Sequence, residues 1–244
     1  MDYNGRMKRT AWSFFEDVLF PPRCAGCGGE TETNRFPLCS SCNRALARND
    51  SFFCPVCRNR IPYRGNACHE SAGYAFGAAV DFNDPAAHRI IHALKYENRQ
   101  YAAIPMGATI AEYVSATASF DPEDADAVVP VPIHGKKLAE RGYNQSFLIA
   151  KSFARNAGIP SEKVLCRAVV KSRETRSQTL CVTVKERREN VRGSFSVASP
   201  EKIRDKNIII IDDVYTTGAT AEELAKTLKR CGAKTVLALT FAKT

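Results

Sequence analysis

The cysteines of this chain are strongly clustered, and this clustering limits its possible folds more than any other feature. Seven of the ten cysteines lie between positions 24 and 68 of 244. Six of the seven form three C-x2-C pairs beginning at Cys24, Cys39 and Cys54, with eleven residues between successive pairs. One such pair places two thiolates at a tight turn, and two pairs supply the tetrahedral ligands of zinc. Because turn residues and little apolar sequence separate the pairs, we expect metal to replace a hydrophobic core here.

The zinc predicted for this segment is structural, because four protein ligands leave no open coordination position on the metal. The first pair can combine with the second or, in an interleaved arrangement, with the third. The remaining ligands make an incomplete second site, because Ser71 stands where a fourth pair would place its second cysteine. Either the histidine after Cys68 completes this site or the site is degenerate. The candidate zinc ligands are Cys24, Cys27, Cys39, Cys42, Cys54, Cys57, Cys68 and His69.

The cysteines also bear on the cellular compartment. Zinc thiolates are typical of reducing compartments, whereas structural disulfides are not. The apolar stretch from Trp12 to Phe20 is interrupted by Glu16 and Asp17, so it predicts neither a membrane span nor a signal peptide. We therefore expect a cytoplasmic protein without membrane insertion. The isolated cysteines are predicted to be small buried apolar residues: Cys166, Cys181 and Cys231.

After the cysteine segment the sequence alternates between strand and helix patterns, which predicts an α/β fold with a mostly parallel sheet. We divide the chain into an N-terminal segment that can form a helix (1–20), a zinc-ribbon module (21–70) and an α/β domain (71–244). Lys171–Arg192 is predicted as a long loop with one helical turn. The predicted strands are Tyr74–Phe82, Ala125–Pro130, Lys163–Val170, Asn207–Asp213 and Thr235–Phe241. The predicted helices are Pro85–Tyr96, Ile104–Thr117, Gln145–Asn156 and Ala221–Arg230.

The positive charge of the chain is concentrated in one segment. Of the net charge of +9, residues 131–193 carry all, with 14 Lys and Arg against 5 Asp and Glu, while residues 1–130 and 194–244 carry −2 and +2. No long amphipathic helix accompanies this basic segment. Its charge therefore favours phosphates, pyrophosphate or nucleic acid over a membrane surface as partners.

The most specific motif begins with four isoleucines, Ile208–Ile211, followed by Asp212 and Asp213, a loop of small residues and a helix. Backbone N–H groups around a glycine at a helix N-terminus can bind a phosphate. Two adjacent carboxylates at the carboxyl end of a strand suit the vicinal hydroxyls of a ribose. The alternative interpretation is a solvated strand end followed by a capping box from Thr220 to Glu223.

This motif resembles the phosphoribosyl pyrophosphate (PRPP) signature of type I phosphoribosyltransferases. The resemblance implies that the acids hold the ribose hydroxyls, that the loop holds the 5-phosphate, and that Mg²⁺ accompanies PRPP. It also implies the type I phosphoribosyltransferase sheet for the α/β domain. The implied PRPP-binding residues are Asp212, Asp213, Thr216, Thr217, Gly218, Ala219 and Thr220.

Further segments resemble one branch, the ComF family, in which a double zinc ribbon precedes a phosphoribosyltransferase-like domain and which is linked to DNA uptake and competence. The segments that carry the resemblance are the Cys pairs, His92–Tyr96, Val129–Pro132, Arg141–Gln145, Arg173–Gln178 and Arg188–Phe195. The resemblance implies a pyrophosphate-facing loop at Val131–Arg141 and a flexible closing loop at Arg173–Arg192. The basic candidates in these loops are Lys136, Lys137, Arg141 and Arg173.

Two hypotheses about function follow. In the first, the protein transfers a phosphoribosyl group from PRPP to an acceptor that the sequence does not identify. In the second, it is a non-catalytic adaptor that binds single-stranded DNA and a motor partner such as a DNA-uptake helicase. Aromatic residues are sparse in the basic segment, which gives little support to base stacking there.

Overall fold

The computed structural model describes residues 23–31, 36–61, 68–69, 72–117, 121–175 and 183–244. The N-terminal segment 1–20 and Cys181 lie outside them. Within the described residues, no helix is long and apolar enough to cross a membrane.

A six-stranded, mostly parallel sheet forms the centre of the molecule, which confirms the predicted α/β class. The strands of this sheet are β1 (Phe52–Phe53), β2 (Arg60–Ile61), β3 (Ala75–Asp81), β4 (Ala127–Pro130), β7 (Asn207–Tyr215) and β8 (Thr235–Lys243). Their order across the sheet is β2-β1-β3-β8-β7-β4. Strands β3, β8, β7 and β4 are parallel to their neighbours in this series, whereas β1 is antiparallel to both β2 and β3. A separate antiparallel pair consists of β5 (Val169–Lys171) and β6 (Phe195–Val197).

The α-helices of the described residues are α1 (Ser40–Ala45), α2 (Pro85–Tyr96), α3 (Ala103–Thr117), α4 (Gly135–Arg141), α5 (Gln145–Asn156), α6 (Val184–Val191) and α7 (Ala219–Arg230). Helices α2, α3 and α5 pack on one face of the central sheet, and α7 packs on the other. Alternate isoleucines of β7 point to opposite faces, because side chains in a strand alternate. Ile209 and Ile211 pack in the cluster that contains α2, α3 and α5, whereas Ile208 and Ile210 pack in the cluster that contains α7.

The close packing of α3 against α5 positions the start of α5. A Cβ atom added at Gly107 of α3 would lie 2.5 Å from the backbone nitrogen of Phe153 in α5. Glycine is therefore required for this approach of the two backbones. At the beginning of α5, the Asn144 side chain caps the helix by accepting the backbone N–H of Ser146 at 3.0 Å. The packing brings Ser146 to the end of β7.

The cysteine-rich segment packs directly on the α/β domain. Strand β1 extends the central sheet through the pair Phe53 and Phe76. Arg89 of α2 donates a hydrogen bond to the carbonyl of Gly26 at 2.7 Å, and the Tyr113 hydroxyl of α3 donates to the carbonyl of Ser51 at 2.7 Å. Buried residues of the segment belong to the same hydrophobic cluster as α2 and α3.

The predicted strand Lys163–Val170 is wrong in its bounds. Only Val164 bridges to Val128 of β4, and the exposed Cys166 and Arg167 then form a turn that leads the chain away from the sheet. The following residues form β5, which pairs with β6 instead. The burial predicted for Cys166 is also wrong, because its side chain is exposed, and Cys231 is only partly buried.

Two segments predicted as loops contain helices. Lys171–Arg192 includes the eight-residue helix α6, which a reciprocal capping box between Thr183 and Glu186 stabilises at its start. The Val131–Arg141 segment includes α4, which is capped by the His134 side chain and ends at Gly142 with a positive φ of 80°. Local side-chain bonds at the helix ends explain both helices, although neither has a continuous apolar stripe.

Candidate functional site

The two acids of the strand–loop–helix motif lie at the carboxyl end of β7 and have different partners. The Ser146 hydroxyl donates to Oδ1 of Asp212 at 2.9 Å. The Lys95 Nζ forms an ion pair with Oδ2 of Asp213 at 2.9 Å, and Asp213 is only 5% exposed. Helices α5 and α2 therefore each contribute one partner to the acid pair. The alternative of a solvated strand end does not describe Asp213.

Burial and a neighbouring carboxylate shift the pKa of Asp212. Burial, followed by the charge of Asp213, raises the pKa of Asp212 to about 7. Burial alone would lower the pKa of Lys95, but the neighbouring Asp213 and Asp212 outweigh it and the pKa is raised. Lys95 therefore stays charged, and the site holds a carboxylate that protonates near neutral pH.

The loop after the acids is shaped by Tyr215. Gly218 has a φ of 78°, which favours glycine, and a Cβ atom added there would overlap the Tyr215 hydroxyl. That hydroxyl is 2.9 Å from the hydroxyl of Tyr74, and the ring of Tyr215 stacks on Phe76 with 3.6 Å between centroids. The loop therefore packs on the buried pair of Tyr74 and Tyr215, which fixes its position relative to the sheet.

Helix α7 begins directly at this loop. Gly218 is its N-cap residue and supplies no side-chain cap, so backbone N–H groups of the first turn face the loop. The capping box proposed as an alternative for Thr220 and Glu223 does not form here. Glu223 instead accepts the backbone N–H of Gly193 at 2.8 Å. The loop and first turn of α7 enclose a small cavity of about 20 Å³.

A larger cavity of about 650 Å³ opens beside the acid pair. Its wall includes five Lys and Arg residues: Lys95, Lys137, Arg141, Lys171 and Arg187. Burial, followed by the charge of Lys137, lowers the pKa of Lys171 to about 8. Burial, followed by the charge of Arg141, also lowers the pKa of Lys137. These cations repel one another in a partly desolvated space, which a polyanion would relieve.

The four basic residues predicted from the sequence divide into two groups. Lys137 and Arg141 line the larger cavity, and Arg141 donates to the Gln145 side chain at 2.7 Å. Lys136 is not among the lining residues, but it forms an exposed ion pair at 2.9 Å with Glu174, which is one of them. Arg173 donates to the backbone carbonyls of residues 190 and 192, both at 2.9 Å. Arg173 therefore has partners outside the cavity wall, whereas the partner of Lys136 belongs to the wall.

Sequence reasoning assigned no site role to Lys95, Ser146 or Lys171. Lys95 lies within the segment His92–Tyr96, and only the resemblance of that segment to the ComF family could have pointed to it. Ser146 comes directly after the segment Arg141–Gln145, which carries the same resemblance, but no signal marked Ser146 itself. Lys171 is the first residue of the predicted loop Lys171–Arg192. In the structure it ends β5, pairs with Phe195 of β6 and lines the cavity.

The cysteine module contains two compact groups of ligand atoms. Within each group, all four atoms lie within 4.8 Å of one another. The first group pairs the first two C-x2-C motifs consecutively, and in the second His69 completes the set. The groups are Cys24, Cys27, Cys39 and Cys42, and Cys54, Cys57, Cys68 and His69. Both donor sets fit structural zinc.

Backbone hydrogen bonds favour the thiolate form of one cysteine in each group. The N–H groups of Gly26 and Cys39 each approach the Cys24 sulfur at 3.3 Å. Burial raises the pKa of Cys24, but the backbone donors together outweigh it and lower the pKa to about 6. In the second group, burial is likewise outweighed by backbone donors, and the pKa of Cys54 is lowered to about 6. Thiolates are the form that binds zinc.

Family comparisons match the two parts of the chain separately. The family described as "Double zinc ribbon domain" matches residues 15–72, and the family described as "Phosphoribosyl transferase domain" matches residues 144–244. The second match begins at the N-cap of α5 and includes the whole acid-loop-helix motif. The first match includes every residue of both candidate zinc sites.

Relatives align with nearly the whole chain. "DNA utilization protein YhgH" of Escherichia coli K12 is 27% identical over 225 residues, which cover 90% of this chain and 96% of that protein. "Competence protein F" of Haemophilus influenzae is 24% identical over 89% of this chain and 95% of that protein. "Competence protein ComFC" of Bacillus subtilis is 24% identical over 80% of this chain and 79% of that protein.

A solved glutamine PRPP amidotransferase from B. subtilis aligns with 58% of this chain and 26% of that chain, with 22% identity and a TM-score of 0.38. At this TM-score no residue role is carried over from it.

Proposed function

Because the chain belongs to the ComF family, in which a double zinc ribbon precedes a phosphoribosyltransferase domain, we propose that it binds PRPP and transfers the phosphoribosyl group. One observation carries this proposal. The acid pair of β7, the glycine loop before α7 and five basic side chains all face adjoining cavities at the carboxyl edge of the sheet. Open parallel sheets bind ligands at this edge.

Each part of PRPP has a matching group in this arrangement. The carboxylates of Asp212 and Asp213 would accept hydrogen bonds from the ribose hydroxyls. The loop from Thr216 to Thr220 would bind the 5-phosphate through backbone N–H groups and threonine hydroxyls. The diphosphate would lie among the cavity cations, where charge-assisted hydrogen bonds are strong. Lys136 and Arg173 stay candidate diphosphate ligands in a closed form of the site, in which each would exchange its present protein partner for the diphosphate.

The chemistry expected of this site is cleavage of the bond between C1 of the ribose and the diphosphate oxygen. Negative charge then develops on the leaving diphosphate, and Lys137, Arg141 and Lys171 are placed to stabilise it. Mg²⁺ would be held chiefly by the diphosphate oxygens of PRPP itself, and it would neutralise part of the same charge. Lys95 pairs with Asp213 and would orient it for the ribose.

A role in DNA handling is the second part of the proposal. The relatives bear the names DNA utilization and competence protein, and residues 131–193 carry a net charge of +9. Such a basic segment favours single-stranded DNA as a further polyanionic partner. A DNA-uptake helicase as partner, and the cytoplasm as location, belong to this proposal. In the alternative, the protein is a non-catalytic adaptor. It either still binds PRPP or retains only the phosphoribosyltransferase fold.

The PRPP site can be tested with a double variant, Asp212→Asn with Asp213→Asn, which keeps shape and removes charge. Above about pH 8, where Asp212 with its pKa of about 7 is mostly ionised, each ribose hydroxyl loses a charged acceptor worth about 1.5–3 kcal/mol. Together these losses weaken PRPP binding by more than about a hundredfold, as measured by calorimetry with Mg²⁺ present. A variant with two exposed carboxylates replaced, Glu162→Gln with Glu201→Gln, changes the net charge equally and serves as the control.

The same proteins are titrated with a single-stranded oligonucleotide at fixed salt. Its affinity should change little or improve in the acid-pair variant, because two negative charges leave a basic neighbourhood. If the wild type binds no PRPP at millimolar concentration, the transferase proposal fails. DNA binding without PRPP binding would leave the adaptor as the function.

A further inference from the structure

The second group of zinc ligands, which begins at Cys54, includes the tip of a short hairpin. Strands β1 and β2 flank a turn of residues 54–59, in which the backbone N–H of Cys54 donates to the carbonyl of Asn59 at 2.9 Å. Each of the two strands has only two residues. Because an isolated pair of strands is marginally stable in water at best, the metal site that closes the turn contributes to holding β1 in place.

The two residues of β1 point to opposite faces of the sheet, because side chains in a strand alternate. Phe52 stacks on Tyr113 of α3, with 5.5 Å between ring centroids. Phe53, which directly precedes the ligand Cys54, packs on Phe76 of β3 with 5.9 Å between centroids. Phe52 belongs to the cluster that contains α3, and Phe53 belongs to the cluster that contains α7. Of these two rings, only Phe53 therefore faces the side of the sheet that carries the loop of α7.

A continuous stack of aromatic rings leads from Phe53 to the loop before α7. Phe76 also stacks on Tyr215, with 3.6 Å between centroids, and Tyr215 packs against Gly218, where an added Cβ atom would overlap the tyrosine hydroxyl. The Nζ of Lys243 covers the ring of Phe53 at 4.5 Å from its centroid. The rings of the stack, in order from Phe53, belong to residues that are 3%, 1% and 4% exposed. Because a protein interior is densely packed, displacement of Phe53 has to be taken up by the other rings of the stack.

We propose that Phe53 is a positioning residue for the loop from Thr216 to Thr220, and that through it zinc binding at the second group and phosphate binding at the loop strengthen each other. This inference rests on the proposed function, because it takes the 5-phosphate of PRPP as the ligand of the loop. The zinc-bound hairpin holds Phe53 against Phe76. Loss of the metal unfolds the tip of the hairpin and weakens this contact, so the loop loses part of its support.

The zinc-bound and zinc-free forms of the hairpin are the two states that give this coupling a physical basis. Phosphate binds more tightly to the form in which the stack supports the loop. By thermodynamic linkage, the factor by which zinc tightens phosphate binding equals the factor by which phosphate tightens zinc binding. Couplings between sites in proteins are typically about 5–150-fold. Because the stack begins at a single residue of the hairpin, we expect the low end of this range, about fivefold.

The positioning role is tested with a matched pair of variants, Phe53→Leu and Phe52→Leu. Both replace a buried ring of β1 by a smaller apolar side chain, so their cost to the stability of the hairpin should be similar. The PRPP affinity of the full zinc-loaded chain is measured by calorimetry with Mg²⁺. Phe53→Leu should weaken PRPP binding about fivefold, whereas Phe52→Leu should stay within about twofold of the wild type. Equal PRPP affinities of the two variants overturn the inference.

The reciprocal effect is tested with ribose 5-phosphate, which carries the phosphate expected in the loop but no diphosphate that would itself bind zinc. The zinc-loaded chain is titrated with a competing zinc indicator, with and without this sugar phosphate. In the wild type, ribose 5-phosphate should raise the indicator concentration that removes half of one zinc about fivefold. Phe53→Leu should lose this protection and Phe52→Leu should keep it, whereas a merely structural role of Phe53 would leave the protection in place. No protection of the wild type, or equal protection of Phe53→Leu, refutes the coupling.

A variant without the second zinc separates this inference from the proposed function. Cys57→Ser removes an exposed ligand of the second group and should bind PRPP about fivefold more weakly than the wild type. Addition of Phe53→Leu to it should weaken PRPP binding little further, since both changes act through one contact. Unchanged PRPP affinity of Cys57→Ser, or additive losses in the double variant, refutes the coupling alone and leaves the proposed PRPP site in place. Absence of PRPP binding by the wild type refutes the proposed function, and the coupling with it.

Discussion

Replacement of Lys171 by arginine is expected to abolish the part of the proton uptake on PRPP binding that Lys171 contributes. Burial, followed by the charge of Lys137, lowers the pKa of Lys171 to about 8, and Asp212 opposes this shift only in part. Lys171 also lies over the ring of Phe195, with 5.6 Å from Nζ to the ring centroid. Arginine keeps this contact and the charge, but it does not deprotonate in proteins.

The expected magnitude follows from the pKa. At pH 8 about half of the Lys171 side chains are neutral in the free protein, and at pH 7 about a tenth are neutral. A bound diphosphate adds several negative charges nearby and returns the pKa toward its ordinary value, so that nearly all of these side chains become charged. Binding therefore takes up about half a proton through Lys171 at pH 8 and about a tenth of a proton at pH 7.

Calorimetric titration with PRPP and Mg²⁺ in two buffers of different ionisation enthalpy measures this uptake. Other groups, including Asp212 and the phosphates, exchange protons in both proteins, so the quantity of interest is the difference between wild type and Lys171→Arg. That difference should grow from pH 7 to pH 8. Equal uptake by the two proteins at pH 8, with PRPP bound by both, would refute the argument that Lys171 faces the diphosphate.

Three further predictions concern the metal, the loop and the tyrosine pair. Metal analysis should find two zinc ions per chain, and Cys24→Ser should release one of them and lower Tm, because zinc binding contributes folding free energy. Gly218→Ala should weaken PRPP binding and destabilise the fold by about 1–3 kcal/mol in urea denaturation, since it adds strain and overlaps Tyr215; Gly158→Ala, at a similar φ of 72° but with no atom within 4 Å, should leave PRPP binding unchanged. Tyr215→Phe should cost about 1–3 kcal/mol by leaving the buried Tyr74 hydroxyl unpaired, and the double Phe variant should recover much of this loss; equal stability of single and double variants would contradict it.

The sequence alone determined the features that depend on local order along the chain. C-x2-C spacing identifies zinc ligands because both thiolates come from one turn. Four isoleucines followed by Asp212 and Asp213 identify a buried strand with acids at its end, and Gly218 identifies the loop, because these constraints act within a dozen residues. The alternation of patterns was enough to predict the parallel α/β sheet.

Tertiary structure decided which distant residues share a site. The ion pair between Lys95 and Asp213 joins residues more than a hundred positions apart, and no local pattern encodes it. The choice of consecutive zinc pairing and of His69 as a ligand depends on how the knuckles pack in three dimensions.

The clearest contrast is between two neighbouring lysines in α4. Lys136 and Lys137 have the same chemistry in the sequence, and both were candidates for the diphosphate. In the folded chain Lys137 lines the cavity, whereas Lys136 does not and instead pairs with Glu174, an exposed residue of the cavity wall. The cause is helical geometry: successive side chains of a helix point about 100° apart. A loop was predicted here, so only the fold could show which lysine faces the site.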